Sequence, residues 1–219
     1  MEYQERIVCY FDILGFGDNV CKKIFSAERI TVLFEELRTI VDDYTTDDIQ
    51  ISHFSDSFII SILSRTSAPT QLRFVVDILI KLLEYKLIAR GAIVYGEVIH
   101  TTANIFGPAL VKAVCIEENR AKYPRIVLDK SLDILPLPTV GNAEIVYRQY
   151  FNGFAFVKTD NIDKEYYVDF ISEAFKRKNS EMLIANLKEL IAKGIDQPKI
   201  AMKYLWLQGK INDLMDSFH

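Results

Sequence analysis

The chain has 219 residues, half of them hydrophobic, with 26 basic and 30 acidic side chains and a formal net charge of −4. That length and apolar share suffice for a full core in one domain, and no apolar run approaches the ~18 residues needed to span a bilayer. The acidic balance argues against general nucleic-acid binding, which needs a basic face to displace counterions.

The first apolar run, residues 7–11, predicts a buried strand that ends at Asp12, followed by a turn at Gly15-Phe16-Gly17. Residues 27–44 carry Ile30, Leu33, Phe34, Leu37, Ile40 and Val41 at helical spacing, a core-facing helix. Two alternating stretches, 49–54 and 58–63, predict a tight hairpin with Asp56 at its tip. A second helix is expected over 69–87 with Pro69 near its start, then a strand over 89–99. Pro108 begins a third helix running to about Tyr123, where Pro124 stops it, and Ile126-Val127-Leu128 reads as a short strand. Residues 135–141, with Pro136 and Pro138, are the best candidate for a connection. A closing hairpin is expected from 154–158 and 166–170, then two helices over 172–193 and 197–216. The order βα-ββ-αβ-α with a helical tail predicts an α+β fold, with residues 1–171 as the main domain and 172–219 as a helical appendage packed on it. The charged N-terminus enters its first strand almost at once, so no signal peptide is expected. Cys9, Cys21 and Cys115, odd in number and without metal-ligand spacing, predict reduced thiols and a cytoplasmic location.

The chemistry concentrates in two aspartates. If the hairpin lies beside the first strand, Asp12 and Asp56 converge at one end of a sheet. Two hard oxygen ligands there suit Mg²⁺ or Mn²⁺ holding a triphosphate. Other chemistries lack support. His53, His100 and His219 show no ligand spacing, no Gly-x-Ser-x-Gly or Cys-His arrangement occurs, and Gly15-Phe16-Gly17 lacks the third glycine of a dinucleotide fingerprint. Arg90, at the start of a strand leading toward the aspartates, is expected to sit in a structural ion pair.

Phe11-Asp12-Ile13-Leu14-Gly15-Phe16, Phe54-Ser55-Asp56-Ser57, the run from Arg90 to Glu97 and the run from Ile105 to Leu110 together resemble the catalytic domain of class III nucleotidyl cyclases, over about residues 6–129. The resemblance implies a palm-like, ferredoxin-like mixed sheet with helices packed on it, and a homodimer sharing its active sites. It also implies two Mn²⁺ or Mg²⁺ ions per site, held by Asp12, Asp56 and the Ile13 carbonyl. The family's two base-reading positions fall on Ser52 and Asn104, which carry neither the adenine nor the guanine pair and can complement a pyrimidine edge. Phe11 is grouped with the nucleotide-binding residues. The family's Asn-x-x-x-Arg pair falls on Val111 and Cys115, neither of which stabilises a phosphate. Lys112 and Arg120 on the same helix, and Lys158 and Lys164 near the closing hairpin, are the candidate replacements, the last two at the family's phosphate-binding lysine.

A looser match, Ala109 to Ala113, Glu117-Glu118, Ala121 to Val127 and Tyr166 to Ile171, resembles the short stand-alone pyrimidine cyclases of bacterial Pycsar anti-phage systems over nearly the whole chain. That resemblance implies UTP, or second CTP, as substrate and cyclic UMP or cyclic CMP as a messenger. A separate effector protein would respond to the messenger without stable contact, and no nucleic acid or membrane partner is expected. Two alternatives stay open, a purine cyclase with unusual base readers and a catalytically dead dimerising module.

Overall fold

Strand β1 (Gln4–Leu14) organises the molecule, and the computed structural model describes residues 2–44, 49–63, 72–134 and 156–217. Its period-two alternation sends Ile7, Cys9, Phe11 and Ile13 into the main core, all 1% exposed or less, and leaves Val8, Tyr10 and Asp12 on the opposite face. The strand does not stop at Asp12. Ile13 and Leu14 still pair with Ala89 and Ile88 of a neighbouring strand, so Asp12 is held inside a ladder. Gly15, at φ 75°, supplies the left-handed residue that turns the chain into α1 (Phe16–Cys21).

Helix α2 (Ala27–Asp43) begins where the Ser26 hydroxyl accepts a hydrogen bond from the Arg29 N–H at 3.2 Å. The expected hairpin follows, β2 (Ile49–Phe54) and β3 (Ser57–Leu63), joined by Ser55-Asp56 with Ser55 at φ 55°. Next come α3 (Arg73–Glu84), β4 (Ile88–His100) and the short β5 (Ile105–Phe106), which folds back on β4. The start of the helix expected from Pro69, residues 69–71, lies outside the described residues.

Helix α4 (Pro108–Asn119) ends before Tyr123: the N–H groups of Arg120 and Ala121 both turn back to the Ile116 carbonyl and close it. Strand β6 (Ile126–Leu128) and a 3-10 turn (Lys130–Ile134) follow. The proposed connection at 135–141 lies outside the described residues. The closing hairpin is β7 (Val157–Thr159) and β8 (Tyr166–Val168). The single helix expected over 172–193 is two. The Asp169 carboxylate caps α5 (Phe170–Phe175) by accepting from the Ser172 N–H at 3.1 Å, and a turn closed by Ser180 N–H to the Arg177 carbonyl separates it from α6 (Ser180–Ile195). The last helix is α7 (Ala201–Asp216). Among the described residues no helix is long and apolar enough to cross a membrane.

The sheet order is β2-β3-β1-β4-β6-β8-β7. Its first four strands each run antiparallel to the next and form the β-α-β-β-α-β arrangement of ferredoxin-like folds, while β6 joins β4 in parallel. Gly91 lets β4 approach β1 closely, since a Cβ there would lie 2.1 Å from the Tyr10 carbonyl oxygen. One face carries the main core, with Leu33 and Leu37 of α2, Phe74 of α3, Leu183 and Leu187 of α6 and Leu207 of α7. On the other face Ala109, Ala113 and Ile116 of α4 pack over Val8, Ala92, Val94 and Val98.

The C-terminal helix is anchored by a buried cation. Arg125, fully buried, ion-pairs with Asp160 and Asp163 of the β7–β8 turn and lies over the rings of Tyr123, Tyr167 and Trp206. The Trp206 indole N–H donates to Asp160 at 2.6 Å and its ring stacks on Tyr123, centroids 5.5 Å apart. A buried arginine stripped of its carboxylates would carry a large desolvation cost, so this cluster fixes α7 to the β7–β8 turn.

Candidate active site

Asp12 and Asp56 do meet. The register of β1 on β3 places Asp12 opposite Ser57, and the Ile13 N–H donates to the Asp56 carbonyl oxygen at 3.1 Å. In a strand the N–H and C=O of one residue point to the same side, so the Ile13 carbonyl also faces the turn that carries Asp56. Burial and the charge of Asp56 raise the Asp12 pKa above the usual carboxylate value, an effect that Ser57, Arg90 and Lys203 partly offset. Ser57 donates to Asp12 Oδ1 at 3.2 Å and is itself 3.2 Å from the Tyr10 hydroxyl, which fixes the carboxylate's orientation.

A half-buried carboxylate whose charge is disfavoured by burial and by a neighbouring aspartate fits a divalent cation. The fit is to a small protein share of a coordination shell, because among the described residues no group of three or more His, Cys, Asp or Glu is placed to hold a metal. Phosphate oxygens and water would complete it, as is usual for Mg²⁺.

Positive charge stands beside the pair. Arg90, opposite Asp12 in the β1–β4 ladder, ion-pairs with the buried Glu117 of α4, as expected for it. The first turn of α7 brings Lys203 to the same end of the sheet. A neighbouring cavity of about 530 Å³, lined by Leu14, Gly15 and Ile88 on one side and by Ile200 and Tyr204 on the other, joins this helix to the end of β1 without including Asp12, Asp56, Arg90 or Lys203 in its wall. Burial and the Arg90 charge lower the Lys203 pKa, while Glu117 and Asp12 raise it. Burial also raises the Glu117 pKa, against the pull of Arg90. Glu117 enters the sequence reading only within the pyrimidine-cyclase match, without a role of its own, and Lys203 does not enter it. A glutamate between Ile116 and Glu118 reads as a solvated helix face, and Lys203 is 191 positions from Asp12 in the chain.

The remaining candidates separate. Ser52, half-buried on β2, shares the Asp12 face and lies 2.9 Å from His100 Nε2. Asn104 is exposed in the turn that follows His100, its N–H donating to Thr101 Oγ1 at 3.0 Å, so the two expected base readers flank one histidine. Phe11 is corrected: strand alternation points it away from Asp12, and it is 1% exposed with its ring stacked on Phe58 at 5.1 Å. It belongs to the core. His53 also faces that side, against Phe34 and Phe58.

Val111 and Cys115 are exposed on α4. Lys112 and Arg120 are committed elsewhere, Lys112 to Asp129 and Arg120 to both Asp129 and Glu165. Lys158 pairs with Asp169 at 2.6 Å and donates to Ser172, and Lys164 donates to the Asn161 carbonyl. Lys158 lies on the edge strand β7, four strand spacings or ~19 Å from β1, and Lys164 in the turn that joins β7 to β8, so one chain does not bring them to the aspartates.

This arrangement is the class III nucleotidyl cyclase catalytic fold, with Asp12 in its central strand and Asp56 in the adjoining hairpin turn. No family model and no curated protein matches the sequence. Solved structures do. The monomeric guanylyl cyclase domain of the RhoGC fusion protein from the aquatic fungus Blastocladiella emersonii is 16% identical over 77% of this chain and 96% of that one, with a TM-score of 0.53. The guanylate cyclase domain of RhGC from Catenaria anguillulae, in complex with GTP, is 16% identical over 77% of this chain and 97% of its own, with a TM-score of 0.52.

Proposed function

We propose that the protein is a nucleotidyl cyclase that converts UTP, or second CTP, to the 3′,5′-cyclic monophosphate and pyrophosphate. The observation that carries the reading is the convergence of Asp12 and Asp56 beside Arg90 and Lys203 at one end of a cyclase-type sheet. In the reaction the ribose 3′-oxygen bonds to the α-phosphorus, the bond from that phosphorus to the pyrophosphate oxygen breaks, and the hydroxyl proton passes to solvent. Asp12, Asp56 and the Ile13 carbonyl would hold two Mg²⁺ or Mn²⁺ ions. Bound there, the ions supply Lewis acidity, lowering the hydroxyl pKa and offsetting triphosphate charge. Ser57 and Tyr10 orient Asp12. Arg90 and Lys203 place positive charge beside the phosphates, where Val111 and Cys115 cannot. Ser52 and Asn104 meet the base.

The pyrimidine preference rests on the absence of purine-reading side chains at Ser52 and Asn104 and on the likeness to Pycsar cyclases. From that likeness we also take the biological role, a homodimer whose cyclic nucleotide activates a separate anti-phage effector. Purified protein incubated with each of the four nucleoside triphosphates and Mn²⁺, with products identified by mass, tests the reading. Cyclic UMP as main product is expected. ATP or GTP as the best substrate removes the pyrimidine assignment, and no product from any of the four removes the enzyme.

A further inference from the structure

The sheet face that holds Asp12 also carries a polar chain running from β1 through β3 and β4 to β2. Arg6 Nε donates to Ser61 Oγ at 2.8 Å, and its Nη2 donates to the Ser61 carbonyl at 3.1 Å. Ser61 Oγ lies 2.9 Å from His100 Nδ1, and Ser52 Oγ lies 2.9 Å from His100 Nε2. Arg6, Ser61 and His100 are buried, and Ser52 is half-buried at the end of the chain.

Proton counting assigns each role. Arginine only donates, so Ser61 Oγ accepts from it and has one proton left to give. Burial and the Arg6 charge lower the His100 pKa to about 4, so the ring is neutral near pH 7 and one nitrogen must accept. Nδ1 accepts the Ser61 proton. The ring hydrogen therefore sits on Nε2 and is donated to Ser52 Oγ, and the Ser52 proton is turned away from the ring.

From this relay we infer that Ser52 is held as a dedicated hydrogen-bond donor, with His100 as its positioning residue, so that the pocket takes a base offering a carbonyl oxygen and rejects one offering an amino group. Uracil and guanine share that carbonyl, whereas cytosine and adenine present an exocyclic amine in its place. Uracil is the base to which the cyclase reading commits. The inference deepens that reading and rests on it, because Ser52 meets a base only if the nucleotide lies as proposed.

Two measurements test it. Imidazole ¹⁵N NMR of the whole protein should report the Nε2–H tautomer; an Nδ1–H ring overturns the relay. Calorimetric titration with the four 3′-deoxynucleoside triphosphates and Mn²⁺, which cannot cyclise, should give at least about tenfold tighter binding of 3′-deoxy-UTP than of 3′-deoxy-CTP. Ser52→Ala and His100→Phe should collapse that ratio to below about threefold, and His100→Gln, which keeps an N–H for Ser52, should restore it. A ratio that survives in folded Ser52→Ala overturns the role of the hydroxyl. Tighter binding of 3′-deoxy-GTP than of 3′-deoxy-UTP keeps the donor and overturns uracil as its base. Equal binding of carbonyl and amino bases overturns the selection while the cyclase reading stands. Binding of none of the four fails that reading, and the inference with it.

Discussion

At the scale of single residues, Asp12 combines a burdened charge with an ordered position. Asp12→Asn keeps its shape and is expected to lose at least about 100-fold in cyclisation rate, because a two-ion site deprived of one carboxylate leaves the triphosphate poorly compensated. Its melting temperature should hold or rise, since the substitution removes a charge that burial and Asp56 both disfavour. A variant that cyclises at the wild-type rate refutes the assignment. His100 makes a different demand. Its folded pKa is about 4 against 6.5 for a free side chain, so the unfolded chain takes up the proton first as pH falls. Its contribution is fully present above about pH 6.5 and is lost as pH falls toward 4, at up to about 1.4 kcal/mol per unit. Urea unfolding at pH 7 and pH 5 should differ by about 2 kcal/mol from this group, and His100→Gln should remove that part of the slope.

At the scale of elements, period-two patterns made β1, β2, β3 and β4 legible from residue order alone, and the Ser55-Asp56 turn followed from them. The same alternation assigns Phe11 to the face opposite Asp12, so its place in the core was readable and a motif resemblance obscured it. The break between α5 and α6 was not readable, because residues 176–179 contain neither proline nor glycine and apolar spacing resumes on both sides. Nothing local marks α7 as part of the site either. Its link to Asp12 is set by packing across the end of the sheet, which no window of sequence contains. Lys203→Met tests that link. Lys203 makes no ion pair within 4 Å among the described residues, and burial lowers its pKa, so stability should be unchanged or slightly higher. The cyclisation rate should fall by about 10- to 100-fold, the loss of one charge facing the phosphates. An unchanged rate would return Lys203 to a packing role.

At the scale of the whole molecule, Lys158 and Lys164 are out of reach of the aspartates in their own chain, so they could serve the proposed site only from a second copy. A homodimer with shared sites predicts that specific activity falls on dilution below the dimer dissociation constant. It also predicts that inactive Asp12→Ala chains mixed with Lys164→Asn chains recover about a quarter of wild-type activity, from one intact site in each mixed dimer. Asparagine is the replacement of choice because residue 164 sits at φ 64°, which asparagine tolerates better than alanine. Full activity in a monomer, measured by sedimentation during turnover, would leave Arg90 and Lys203 as the whole supply of charge.

The joint around Arg125 also gives the native chain a label. Trp206 is the one tryptophan in the sequence, 4% exposed and bonded to Asp160, so tryptophan emission comes entirely from the seam between α7 and the β7–β8 turn. Undocking of the C-terminal helix should shift that emission to the red while circular dichroism still reports an intact sheet. Because Trp206 lies one helical turn beyond Lys203, a triphosphate settling at the proposed site should perturb the same signal, making the unmodified protein its own binding sensor.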